Sequence, residues 1–383
     1  MKIAFFTDSY LPNVDGVVTS ICNYRSQLEK LGHEVYIFSP GTKQQKEGNT
    51  DSRVHYFTST AFKPYPDYRI ALFNFLAPVK MVKEYGIDII HSHGIATTGL
   101  AAIRSSQKLG IPALATFHTL VPNASHYITS NQQLQNIVHG VAWKYLTWYY
   151  SHYKKILAPS AFAKKLLEER GIKNVSIQPS GINYGKYRAV FGTEDAEARK
   201  YLKLKKKDRM IIFVGRIALE KNLEDLIGVA PTLVNKIPDL RIVLVGKGPA
   251  LEHYKQLAKK TGLEQHFIFT GYLDDDLLVK LYPAADAFIF PSRFDTQGLA
   301  VVEALAAGVP AIVKSGSAVS EYIEEGKNGY LYSDGFELVE KIVSVVSESK
   351  NMRSYASNSA TKFDIAKTTE ELLSTYKLMM KEK

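Results

Sequence analysis

One carboxylate stands inside an otherwise apolar helical stretch. In PSRFDTQGLAVVEALAAGVP, Pro291–Pro310, a buried strand at Ala287–Phe290 runs into a polar loop that opens a helix. Leu299, Val301, Val302, Leu305 and the alanines leave that helix no solvated face. Glu303 is its one charge, and carboxylates are seldom buried without a partner. Either a neighbouring Arg or Lys neutralises it, or it binds a polar ligand. At the helix mouth stand Asp295, Thr296, Gln297 and Gly298. Free amides and the helix dipole suit an anion such as phosphate there, although Asp295 or Thr296 could equally act as an ordinary cap.

Two cations follow a second apolar strand, in Gly215-Arg216 and Glu220-Lys221-Asn222. Near the strand's carboxyl end they could together hold a diphosphate; singly, each could serve a surface ion pair. Gly246-Lys247-Gly248-Pro249 lacks the third glycine of a dinucleotide fingerprint and reads as a tight loop beside a nucleotide, with Pro249 in a first helical position. Backbone groups near Gly271 could meet a base or form a simple turn, and Asp274–Asp276 cap the next helix. Near the start, Gly16 in Asp15-Gly16-Val17 has no Cβ to keep a phosphate or sugar away. His91 and His93 close one strand with metal-like alternation, but no Cys or carboxylate stands near them in sequence, so no metal is expected. His118 ends another strand and faces the expected ligand.

These groups need βα units to position them. Lys2–Thr7, Glu34–Ser39, Ile87–His91, Pro112–Thr116 and Lys154–Ala158 read as buried parallel strands alternating with helices. After a turn-rich passage the pattern restarts at Met210–Gly215. It continues through Leu240–Gly246, His266–Gly271, Ala287–Phe290, Val309–Val313 and Gly329–Tyr332. The expectation is an α/β protein of two domains, 1–183 and 184–361, each a doubly wound parallel sheet, with ligand in the cleft at their strands' carboxyl ends. A helix over about 362–383 is expected to pack back onto the first domain.

The chain has 383 residues, one cysteine and a net charge of +10. Cys22 excludes an intramolecular disulfide, and the short apolar run in MKIAFFTDSY is too brief for a signal peptide, so a cytoplasmic protein is expected. No long apolar window spans a membrane. Charge is uneven. Met1–Gly185 holds 19 Lys and Arg against 11 Asp and Glu, and Ile89–Leu167 holds no carboxylate but seven Lys or Arg. An anionic partner follows, either a lipid surface or nucleic acid, unless the charge serves solubility alone. The run YLTWYYSHY, Tyr145–Tyr153, flanked by Trp143-Lys144 and Lys154-Lys155, fits a membrane interface or plain packing against the core. No RNA-binding pattern accompanies it, so nucleic acid is not expected. Ala71–Tyr85 is similarly amphipathic, interrupted by Pro78.

Together these residues resemble family 4 retaining glycosyltransferases. Asp295 and Glu303, with seven residues between them that include Gly298-Leu299, look like that family's E-x7-E motif. HSHG at 91–94, FHT at 117–119, APS at 158–160, GRIALEKN at 215–222 and VGKGP at 245–249 extend the likeness over nearly the whole chain. The resemblance implies the GT-B architecture of two Rossmann-like domains, with the first domain on the acceptor side and the second binding a nucleotide sugar. It implies that Arg216 and Lys221 hold the donor diphosphate, Glu303 the ribose and Asp295 the sugar, with His118 beside the reaction centre. Gly16, Gly246, Gly271, Gln297, Gly298 and Leu299 would line the donor, and His93 and Tyr127 the acceptor. Asp295 departs from the family's usual Glu by one methylene, about 1.5 Å of reach. PDYRIAL (66–72), TFHTL with HYI (116–128) and DTQGL (295–299) look most like bacterial diacylglycerol glucosyltransferases. Glucose transfer from UDP-glucose to a lipid hydroxyl is therefore expected, without cofactor or metal, at the cytoplasmic face of an anionic membrane. Alternatives are a soluble sugar, phosphatidylinositol or polysaccharide acceptor, a nucleotide-sugar epimerase, and a surface-binding module without turnover.

Overall fold

A computed structural model describes residues 1–62, 68–72, 74–122, 131–193 and 196–381. The chain forms two compact units, Met1–Gly181 with Ile365–Lys383, and Ile182–Asp364. It therefore passes from one unit to the other twice.

Among the described residues, the first unit holds an eight-stranded sheet in the order β4-β3-β2-β1-β5-β6-β7-β8. The strands are β1 (Lys2–Phe6), β2 (Glu34–Gly41), β3 (Val54–Ala61), β4 (Arg69–Ala71), β5 (Ile89–Ser92), β6 (Ala113–Thr116), β7 (Lys155–Ala158) and β8 (Val175–Ile177). Near-continuous apolar runs are needed because both faces are covered. Ile3 and Phe5 of β1 pack with Ile21, Leu28, Leu372 and Tyr376, whereas Ala4 and Phe6 pack with Phe38, Ile90 and Ala101. The helix Ile365–Lys381 thus completes one face of this unit.

The sheet is not wholly parallel, as the sequence reading had it: the edge strand β4 runs antiparallel to β3. In the Ala71–Tyr85 stretch, Ala71 ends β4 and the helix starts only at Leu76. Pro78 falls in its first turn, where a missing N–H breaks no intrahelical bond.

The aromatic run belongs mainly to the core, the second of the two readings its composition allows. It ends a helix, Gln132–Tyr150, whose Trp143, Leu146, Tyr149 and Tyr150 are buried, as is Tyr153 just beyond. They pack with Phe117 and Ile156. Tyr149 donates to the Gly94 carbonyl at 2.7 Å, and its hydroxyl lies 2.7 Å from that of Tyr153. Polar aromatic ends inside a core need such partners. Trp148 lies on the other side of the helix and is exposed.

The second unit has six parallel strands among its described residues, in the order β11-β10-β9-β12-β13-β14. These are β9 (Arg209–Val214), β10 (Leu240–Val245), β11 (Phe267–Gly271), β12 (Ala287–Phe290), β13 (Ala311–Lys314) and β14 (Gly329–Tyr332). Winding reverses between β9 and β12, as it does between β1 and β5. In doubly wound sheets, ligands bind outside the strands' carboxyl ends at such reversals.

Candidate functional site

In the second unit, the loops after β9 and β12 meet at this reversal. Lys221 ends a single helical turn, Leu219–Lys221, and Asn222 behind it adopts the left-handed conformation (φ 52°). Lys221 Nζ lies 2.6 Å from Asp295 Oδ1, with side chains 15% and 21% exposed. Asp295 Oδ2 is buried without a hydrogen-bond partner among the described residues. The Lys221 ammonium also lies 5.6 Å from the centre of the Phe290 ring.

Arg216 is half-buried just past the end of β9. The glycines around it lace neighbouring strand ends together: Gly215 N–H donates to Val245 O at 3.0 Å, and Gly246 N–H to Gly271 O at 2.9 Å. A Cβ on Gly246 would collide with the Gly215 carbonyl oxygen. Close backbone approach therefore accounts for this glycine within the fold itself.

The helix Leu299–Ala306 begins behind Gly298, whose left-handed backbone (φ 69°) sits against Val319. No side chain caps this helix, so neither Asp295 nor Thr296 is its cap. Thr296 and Gln297 are both buried at its mouth. Glu303 lies one turn further in, roughly 6 Å along the axis from Leu299. Its hydrogen-bond partners are phenols rather than an Arg or Lys: Tyr282 donates to Oε2 at 3.0 Å, and Tyr187 also hydrogen-bonds the carboxylate. Burial pushes the Glu303 pKa up, and the two hydroxyls draw it partly back. Asp274 caps the helix Asp275–Leu281 through Leu277 N–H, while the helix beyond Pro249 starts only at Leu251.

Sequence reasoning missed a further cation at the same end of the sheet. Lys314, which closes β13, has a side chain only 7% exposed and reaches Asp225 Oδ2 at 2.7 Å. Tyr332 at the end of β14 donates to the same oxygen at 3.2 Å. The available signal was a lone lysine ending the apolar strand AIVK.

The first unit gathers three imidazoles at the ends of β5 and β6. His93 Nδ1 lies 2.8 Å from His118 Nε2. His91 contacts the hydroxyls of Tyr376 and Thr116, each at 2.6 Å. Burial lowers the pKa of His118 to about 4 and holds His91 and His93 well below their ordinary value. All three are neutral near pH 7 and act as hydrogen-bonding groups there. Asp8, another residue the sequence reading passed over, accepts from the amides of Ile95 and Ala96 at 2.6 and 2.8 Å, ahead of the helix Thr97–Leu109. A Cβ on Gly16 would meet no protein atom within 4 Å. Asp15 already accepts the Val17 and Val18 amides behind it, both at 2.8 Å. Tyr127 lies outside the described residues. Among the described residues, no group of three His, Cys, Asp or Glu side chains is arranged so that it could hold a metal ion, these three imidazoles included.

Known proteins place this architecture. The family model "Glycosyltransferase Family 4" matches residues 14–186, and "Glycosyl transferases group 1" matches residues 194–363. The chain is a glycosyltransferase of the GT-B fold, built from a family 4 domain and a group 1 domain. It is 29% identical over 359 residues to the alpha-monoglucosyldiacylglycerol synthase of Streptococcus pneumoniae, covering 93% of this chain and 80% of that protein. It is 27% identical over 338 residues to a GDP-mannose-dependent alpha-mannosyltransferase of Corynebacterium glutamicum, covering 86% and 76%. Among solved structures, Anabaena HepE in complex with UDP superposes with a TM-score of 0.76 at 18% identity, covering 99% of this chain and all of that one. The matched models describe transferases, and the epimerase alternative gains no support.

Proposed function

We propose that this enzyme moves a glucosyl group from UDP-glucose to a hydroxyl of a membrane lipid such as diacylglycerol, with retention at the anomeric carbon. The observation that carries this reading is the cation at the β9/β12 reversal, Lys221, with Asp295 against it and the uncapped Leu299–Ala306 helix beside it. A leaving diphosphate needs charge stabilisation at a strand end, and a sugar needs a hydroxyl acceptor next to it. Arg216 and Lys221 take the first task and Asp295 the second. Glu303 takes the ribose, its carboxylate kept in place by Tyr282 and Tyr187.

The new bond forms between the acceptor oxygen and the anomeric carbon, on the face from which the diphosphate departs. The acceptor's proton passes to the departing phosphate oxygen, so no protein nucleophile is required. The two fixed cations supply the electrostatic work for which other transferases employ a divalent ion. His118, neutral and 2.8 Å from His93, can orient a polar group without adding charge.

A lipid acceptor is supported by the name of the pneumococcal relative and by one helix face. Leu134, Ile137, Val141 and Trp148 on Gln132–Tyr150 are 50%, 61%, 61% and 51% exposed, at helical spacing on one side. They lie inside the acid-free stretch Ile89–Leu167. Each basic residue near an anionic bilayer adds about 1 kcal/mol of attraction. Among the described residues, no helix is long and apolar enough to cross a membrane, so such contact would be peripheral. UDP-glucose, GDP-mannose and UDP-galactose, each offered diacylglycerol, phosphatidylinositol or a soluble glycoside, test the assignment. Alpha-glucosyl diacylglycerol formed from UDP-glucose is expected. Preference for GDP-mannose or for a soluble acceptor would overturn the donor or the acceptor assignment, respectively.

A further inference from the structure

A cation assigned to a diphosphate is already occupied. One of the three N–H groups of the Lys221 ammonium is directed at Asp295 Oδ1, 2.6 Å away. The other carboxylate oxygen, Oδ2, is buried with no hydrogen-bond donor among the described residues, an arrangement native proteins rarely keep without a use. The two side chains come from different loops, after β9 and after β12, so the pair ties the two sides of the reversal together. A diphosphate arriving at Lys221 brings a second anion to an ammonium that already serves one. Asp295 is also shorter by one methylene than a glutamate, about 1.5 Å, which limits its reach toward a sugar while it stays on Lys221.

We infer that Lys221 and Asp295 form an exchange latch: in the empty site the carboxylate neutralises the ammonium, and the donor's diphosphate takes the ammonium and releases the carboxylate to the sugar hydroxyls. The inference rests on the donor assignment above. Sugar recognition then becomes conditional on the diphosphate, because a hexose alone meets a carboxylate held on Lys221. A nucleotide without its sugar must open the latch and gains no hydroxyl contact in return. Its affinity is therefore held down by Asp295, and only through Lys221. Simple repulsion between Asp295 and a diphosphate would act whether or not Lys221 is present.

A double-mutant cycle separates the two. UDP is titrated calorimetrically into the full chain near neutral pH and at low salt, as wild type, Asp295→Asn, Lys221→Met and the double variant. Asp295→Ser guards against a fault peculiar to the amide, and thermal melts check folding. Removing a competing charge-assisted contact should tighten UDP about tenfold in Asp295→Asn and in Asp295→Ser. Lys221→Met should weaken UDP by at least about tenfold. On that background, Asp295→Asn should alter Kd by less than about twofold. Tightening of equal size in both backgrounds, or none in either, overturns the latch while leaving Lys221 as the diphosphate ligand. UDP binding that is absent, or unaffected by Lys221→Met, removes the donor assignment and the latch with it.

Discussion

Acid should destabilise the first unit through its imidazoles. His118 titrates at about 4 in the folded chain because it is buried, against 6.5 for an unperturbed imidazole. The unfolded chain therefore takes up this proton first. The His118 contribution is intact above pH 6.5 and is lost as pH falls toward about 4. That interval is worth about 3 kcal/mol at 1.36 kcal/mol per pH unit. For a unit of about 200 residues, the melting midpoint falls roughly 2–4 °C per kcal/mol, so His118 alone should lower it by roughly 6–12 °C between neutral pH and pH 4. His91 and His93 act in the same direction. Buried Asp8 opposes them, since its raised pKa makes the folded state take that proton first. Both tryptophans of the chain, Trp143 and Trp148, belong to this unit, so fluorescence-detected melts report on it selectively. His118→Asn should flatten the dependence by about the amount calculated. A midpoint that stays level from neutral pH to about 4.5, or a variant slope equal to that of wild type, would refute a buried neutral imidazole at this position.

Other outcomes follow from the second unit and from the exposed helix face. Lys221→Ala and Arg216→Ala should each cost about 100-fold or more in turnover with the fold intact, since a lost charge-assisted contact to a leaving group costs ~3 kcal/mol; near-normal rates in both would place the diphosphate elsewhere. Glu303→Gln should weaken UDP, as measured by calorimetry. The same change should stabilise the second unit most at high pH, because a carboxyl with a raised pKa disfavours folding once it ionises; unchanged UDP affinity would remove Glu303 from the ribose. Ile137→Asp with Val141→Asp should abolish sedimentation with anionic vesicles at low salt and spare UDP affinity. Equal sedimentation of wild type and variant would leave this face without a lipid role.

The β9/β12 reversal was legible because its residues are local. Arg216, Lys221 and Asp295 each follow a strand that reads apolar throughout, and strand ends are where doubly wound sheets place ligands. Direct contact between Lys221 and Asp295 was not legible, because it joins loops 74 residues apart. Glu303 was recognised as an anomaly, but its partners, Tyr187 and Tyr282, carry no periodic signal that links them to it. The run Tyr145–Tyr153 stayed ambiguous for a related reason. Composition cannot tell which side of a helix is covered, and it was β6 and β7 packing beneath that buried Tyr149 and Tyr150 while leaving Trp148 outside. The edge strand β4 is three residues long, too short for any alternation to show.

The helix Ile365–Lys381 sets an order on synthesis. Leu372, Leu373, Tyr376 and Met379 fill the face of the first sheet beneath Ile3, Phe5 and Ile37, and Tyr376 holds His91. A nascent chain presents that sheet early but delivers its cover only after Ile182–Asp364 has emerged. At roughly 5–20 residues per second, the gap lasts about 10–40 seconds. The later-encoded unit has all its strands in one continuous segment and can close first. Until the ribosome has passed Met379, that face has only the helix Gly16–Lys30 over it, and the part that Leu372, Leu373, Tyr376 and Met379 will cover stays open to holdase chaperones.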